Sequence, residues 1–168
     1  MTTFSSRKPL SIVLADDQEE VRRALRRYLD CDGRFSILAE AKNGAEALRR
    51  VAMLQPDALI LDLAMPEMDG LEALPKIKEA SPATIVVILS SMIPYSSFGE
   101  QAIELGAAAV FDKYAPPSQI VERILETFLR TDPGAGTTRM LAQEEYPRTA
   151  RSGTPVTSSP SSEGRMSM

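Results

Sequence analysis

Between residues 10 and 130 short apolar runs alternate with amphipathic segments, and this alternation constrains the fold more than any other feature of the chain. Runs at 10–15, 35–41, 58–61, 84–89 and 108–111 each have the length of one strand. Several are apolar on consecutive residues, as parallel strands covered on both faces are. Between the first two runs Val21, Ala24, Leu25, Tyr28 and Leu29 recur at helical spacing. Ile120, Val121, Ile124, Leu125, Phe128 and Leu129 do the same after the last. Both segments predict helices with one apolar face. Three more helices are expected over 44–54, 71–80 and 95–105, the last opened by Pro94 and closed by Gly106.

Strands that alternate with helices pair in parallel through right-handed crossovers. The expected class is therefore α/β, a doubly wound (βα)5 five-stranded parallel sheet with the flavodoxin-like strand order 2-1-3-4-5. A chain of 168 residues, 43% hydrophobic, suffices for one buried core. Residues 1–9 read as an N-terminal arm and 10–130 as the domain. In 131–168 more than half of the residues are Ser, Thr, Pro or Gly, too few apolar groups to repay ordering, so a disordered tail is expected.

Composition removes whole classes of chemistry. Histidine is absent, which excludes Ser-His-Asp and Cys-His catalysis, His-ligated metals and a phosphohistidine on this chain. The one cysteine, Cys31 in the segment DCDGR, is expected to be a loop thiol; it excludes an intrachain disulfide and fits a reducing, cytoplasmic setting. A net charge of −4 argues against binding DNA directly. No apolar run approaches the roughly 20 residues that span a bilayer, so no membrane association is expected. The ligands on offer are carboxylates and carbonyls, which suit Mg²⁺ or Ca²⁺.

In a doubly wound sheet, functional groups collect beyond the carboxyl ends of the strands. Here those ends carry Asp16 and Asp17, then Asp62 in LILDLAMPEMDG, then Ser90 and Ser91, then Lys113. Taken alone, Asp16 and Asp17 read as helix-capping acids, Lys113 as a surface charge, and either serine as a cap for the next helix. Together, three carboxylates on one rim repel one another unless a cation joins them, and Mg²⁺ is the economical choice. With a metal and an ammonium to hold phosphoryl oxygens, one carboxylate can attack a phosphoryl donor.

The acidic pair, the LDLAMPEMDG segment, the strand-end serine and GAAAVFDK resemble the receiver domain of two-component response regulators, in the single-domain, chemotaxis-regulator-like form. The resemblance covers residues 10 to about 130. It implies Asp62 as phosphoacceptor, Asp17 as a direct Mg²⁺ ligand, Asp16 as a ligand acting largely through water, and the Ala64 carbonyl as completing the metal shell. It also implies Ser90 as the switch hydroxyl and Lys113 as the lysine that faces the phosphoryl group. The implied partners are a sensor histidine kinase or histidine phosphotransfer protein, and a downstream protein target. The chain departs from the family in three respects. The short polar segment after residue 130 is not expected to hold a DNA-binding or enzymatic output domain. The other two are single positions. Val110, with Phe111 beside it, stands where the family has a fifth-strand aromatic, and Tyr114 follows the lysine where proline is common. A trans bond is expected before Tyr114.

Three alternatives share part of this pattern. A receiver-like adaptor that works unphosphorylated would not need the full acid set. A phosphatase of the haloacid dehalogenase type would want a second Asp two residues after the nucleophile, where Ala64 stands. A flavodoxin-like electron carrier fails at the first strand end, where DDQEE would repel a cofactor phosphate. Arg22, Arg23, Arg26 and Arg27 read as the solvated face of the first helix, and Met65 and Met68 as turn packing. Ala64 and Met92 flank the path that the resemblance assigns to hydrolytic water, and neither orients a water well. A long-lived aspartyl phosphate is expected.

Overall fold

The computed structural model describes residues 8–91 and 97–131. Five strands and five helices alternate in the described residues: β1 (Leu10–Ala15), α1 (Glu19–Asp32), β2 (Phe35–Ala41), α2 (Gly44–Leu54), β3 (Ala58–Asp62), α3 (Gly70–Ala80), β4 (Ile85–Ser90), α4 (Ser97–Glu104), β5 (Ala109–Asp112) and α5 (Pro117–Thr131). All strand pairs are parallel, as the alternation predicts, and the sheet has the expected flavodoxin-like order, β2-β1-β3-β4-β5. The tail is expected from 131, but Thr131 still belongs to α5; the rest of the tail expectation, the Met92 reading, most of the N-terminal arm and the expected opening of the fourth helix lie outside the described residues.

Consecutive apolar residues are needed because both faces of the sheet are covered. Ile12 and Leu14, Ile60, Val87 and Leu89 pack with Leu25, Leu29, Ile120 and Ile124 of α1 and α5. The alternate residues Val13, Leu59, Leu61, Val86 and Ile88 pack instead with Ala47, Val51, Leu74, Ile77 and Ala102 of α2, α3 and α4. Period two along each strand thus divides one sheet between two cores. Phe111 belongs to the α1/α5 core while Val110 packs on the other. An ideal Cβ on Gly99 of α4 would lie 3.7 Å from Val110 Cγ1. The Arg123 guanidinium covers the Phe111 ring at 5.4 Å, so this aromatic belongs to the α5 side and does not take the place that Val110 occupies.

Three local expectations change. Cys31 is exposed but lies on the last turn of α1, not in a loop; the helix runs on to Asp32 and stops at Gly33, whose φ of 71° suits glycine. Thr84 is not in β4. Its backbone N–H turns back to the Ser81 carbonyl and its hydroxyl donates to the Pro56 carbonyl at 2.8 Å. Arg22 is buried at 5% exposure and is not part of a solvated face.

Candidate functional site

Strand register builds the site. Ala15 pairs with Leu61, Asp62 with Leu89, and Ser90 with Asp112, so the strand ends finish within a residue of one another. The Asp16 N–H extends the sheet by donating to the Ala41 carbonyl at 3.1 Å, and the Lys113 N–H does so to the Ser90 carbonyl at 3.2 Å. Asp16, Asp62, Ser90 and Lys113 are all buried, whereas Asp17 is exposed. One carboxylate oxygen each from Asp16, Asp17 and Asp62 lie within 4.8 Å of one another.

Lys113 stands between two of these acids. Its Nζ is 2.8 Å from Asp16 Oδ2 and 2.7 Å from Asp62 Oδ2. Asp16 Oδ1 accepts from the Gln18 N–H at 2.8 Å, and Asp62 Oδ1 from the Ala64 N–H at 3.3 Å. Asp16 therefore caps a turn before α1 with one oxygen and faces the site with the other. Burial pushes the Asp62 carboxyl up from its ordinary value, Lys113 opposes this, and the Asp16 charge adds to it. Burial is also the largest influence on Lys113, where it disfavours the charge, but the bonds to Asp16 and Asp62 prevail and its pKa is raised. Three carboxylates against one ammonium leave an excess of negative charge, which the chemistry of these oxygen donors suits to a hard cation.

Two glycines let the β3–α3 turn close on the site. A Cβ on Gly70 would sit 2.3 Å from the Asp62 carbonyl oxygen, and one on Gly44 would sit 2.7 Å from that of Met68. The Gly44 N–H donates to that Met68 carbonyl at 2.8 Å, and the Gly70 N–H to Leu63 at 2.9 Å. Asp69 caps α3 through the Glu72 N–H at 2.8 Å. Met65 is buried in the core beneath this turn and Met68 packs against it, in the role their sequence suggests. Ser90 is the last residue of β4 and Ser91 follows it, and the opening of the next helix lies outside the described residues. The bond before Tyr114 is trans, as are all peptide bonds of the described residues.

Two residues of the pocket's surroundings escape sequence reasoning. The Arg22 Nη1 donates to the Asp16 backbone carbonyl at 2.6 Å, and its Nε to Glu40 Oε2 at 3.1 Å. Glu40 stands on another element, and nothing in the helical spacing of the four arginines singles out Arg22. No helix of the described residues is long and apolar enough to cross a membrane.

Residues 12–125 match the response regulator receiver domain family. A protein-glutamate methylesterase/protein-glutamine glutaminase from Hahella chejuensis is 38% identical over 128 residues, 73% of this chain and 35% of that protein. The response regulator domain of Thermotoga maritima CheB is 25% identical with a TM-score of 0.65, covering 73% of this chain and 96% of that one. A DNA-binding response regulator of the LuxR family from Staphylococcus aureus is 29% identical with a TM-score of 0.66, covering 71% and 98%. The chain spans about a third of the length of that methylesterase, so the likeness is one of receiver segments. With the doubly wound sheet and the acidic phosphoacceptor pocket at Asp16, Asp17 and Asp62, this chain belongs to the response regulator receiver domain family of two-component signalling.

Proposed function

We propose that residues 10–130 form a receiver that takes a phosphoryl group onto Asp62 from the phosphohistidine of a sensor kinase or phosphotransfer protein in the cytoplasm, and thereby changes its binding to a downstream protein. The observation that carries this reading is the Lys113 ammonium set between Asp16 and Asp62 at 2.8 and 2.7 Å. In the step, an Asp62 oxygen forms the new bond to phosphorus as the bond from phosphorus to the donor histidine nitrogen breaks. The Lys113 ammonium faces the phosphoryl oxygens, where negative charge gathers. Asp17, Asp62 and the Ala64 carbonyl would hold Mg²⁺ directly, and Asp16 through water. One oxygen from each of the three acids lies within 4.8 Å of the others, and an all-oxygen, negatively charged donor set of this kind suits a hard divalent cation. Bound there, Mg²⁺ would supply neutralisation of the phosphoryl oxygens. The Ala64 N–H holds Asp62 Oδ1 at 3.3 Å, which helps to aim the nucleophile. The Ser90 hydroxyl is assigned the part of donor to the phosphoryl group once it is in place.

The test is incubation with a small phosphodonor and Mg²⁺, followed by peptide mapping by mass. Phosphate should appear on Asp62 in the wild type and be lost in Asp62→Asn. An Asp62→Asn variant labelled as strongly as wild type would overturn the assignment.

A further inference from the structure

We infer that Arg22, outside the ring of groups that would touch metal or phosphate, is a positioning residue that sets the divalent-cation affinity of the pocket by holding the Asp16 peptide carbonyl; this rests on the metal reading of the acidic site above. Every polar group of Asp16 is engaged. Its N–H reaches Ala41, its carboxylate oxygens take Gln18 and Lys113, and its carbonyl accepts from Arg22 Nη1 at 2.6 Å. That carbonyl belongs to the peptide unit leading into Asp17, the exposed acid of the cluster. The orientation of this unit fixes where the Asp17 Cα lies and hence where its carboxylate can reach.

The arginine is itself over-determined. It is buried at 5% exposure, its Nε donates to Glu40 Oε2 at 3.1 Å, and the other Glu40 oxygen accepts from Arg26 Nη1 at 2.6 Å. A planar guanidinium can serve a carbonyl and a carboxylate at once in a fixed fork, which an ammonium on a flexible stem does not reproduce. The bridge ties α1 to the edge strand β2, and the acidic loop that joins β1 to α1 is held at Asp16 from both, by Arg22 of α1 and by the Ala41 carbonyl of β2. Groups that orient metal ligands in this way typically change metal affinity ten- to a hundredfold when removed.

The sign of the effect separates positioning from electrostatics. Removing a positive charge beside three carboxylates should tighten cation binding if only the local field matters. Loss of positioning should weaken it. Isothermal titration of Mn²⁺ into the full chain would compare wild type with Arg22→Met, Arg22→Lys and Arg23→Met, the last removing an exposed arginine of the same helix that pairs with Glu19. The expected result is about ten- to a hundredfold weaker binding in Arg22→Met, a smaller loss in Arg22→Lys, and no weakening in Arg23→Met. Arg22→Lys keeps the charge, so it decides the matter alone should Arg22→Met fail to fold. Wild-type or tighter affinity in Arg22→Lys overturns the inference. A wild type that takes up no Mn²⁺ overturns the metal reading and this inference with it; a wild type that binds, with variants that bind equally, overturns the inference alone.

Discussion

Two aspartates flank the same strand and are used in opposite ways. Asp57 stands just before β3, where its Oδ2 accepts from both the backbone N–H and the hydroxyl of Ser11, at 2.8 and 2.7 Å. Its own N–H donates back to the Ser11 hydroxyl at 2.9 Å. The exchange is reciprocal and ties the start of β1 to the start of β3. Asp62 ends β3 almost fully buried, beside two other carboxylates and one ammonium. At the first end, donors match the charge. At the second, like charge exceeds what Lys113 can answer, and burial pushes the Asp62 carboxyl up. One end of the strand is built for stability, while the other stores unfavourable charge for use.

The widest separation between the ends should come from removing each acid. Asp62→Asn should lose aspartyl phosphate entirely yet melt at or above the wild-type temperature, because it relieves repulsion and leaves Lys113 bonded to Asp16. Asp57→Ala strands two Ser11 donors and should cost about 2 kcal/mol or more, a fall of several degrees in Tm, with labelling kept. Thermal melts beside a phosphorylation assay read both. The contrast breaks if Asp62→Asn falls as far in Tm as Asp57→Ala.

Gly70 sharpens it. The site end is also where backbone approaches backbone, and a methyl at 2.3 Å from the Asp62 carbonyl oxygen has no flexible side chain to displace. Gly70→Ala should cost about 1–3 kcal/mol through overpacking and slow labelling of Asp62 as well. Unchanged stability and labelling would show that the turn has room the geometry denies.

Much of this was legible because apolar periodicity reports which faces are covered. The runs at 10–15 and 35–41 coincide with β1 and β2, and the strand-end acids and Lys113 fall where a parallel sheet must gather them. What escaped depends on partners distant in sequence. Arg22 looks like its three arginine neighbours until Glu40 of β2 and the Asp16 carbonyl come to meet it. Cys31 and Thr84 mark element boundaries, where a left-handed Gly33 ends α1, and bonds from Thr84 to Ser81 and Pro56 precede the start of β4. The closeness of Gly44 and Gly70 to other backbone is a packing fact that residue type hints at but spacing does not supply.

A smaller effect tests the chemistry of the loaded site. Ala64 is exposed and follows Asp62 by two residues; with no polar atom in its side chain it cannot guide a water. Ala64→Asn should shorten the life of the aspartyl phosphate about tenfold, about 1.4 kcal/mol in barrier, with folding stability unchanged. Equal decay in wild type and variant would remove Ala64 as a cause of slow hydrolysis.

The smallest expected effect asks whether position in the sheet or the matching of charge makes the difference between Asp57 and Asp62. Glu40 lies near the site end, on β2, but is answered by donors as Asp57 is: Arg26 Nη1 at 2.6 Å and Arg22 Nε at 3.1 Å. The hydrogen bond from Arg26 is the main cause that holds its carboxyl below the ordinary 4.5, against desolvation, with Arg22 adding to it. A carboxyl whose folded pKa lies below its unfolded value stabilises the fold above the unfolded pKa, and that contribution disappears as the pH falls through the folded one. Glu40 is partly open to solvent, with 31% of its side chain exposed, so screening keeps the contribution below about 1 kcal/mol. Glu40→Gln should therefore melt slightly lower than wild type at neutral pH, and the gap should close as the pH drops below 4.5 and wild-type Glu40 gains its proton. A gap that persists in acid would place the effect in shape and not in charge. A gap of the opposite sign at neutral pH would mean that carboxylates at this end destabilise wherever they stand, and that the two ends of the sheet differ by location and not by how well each charge is matched.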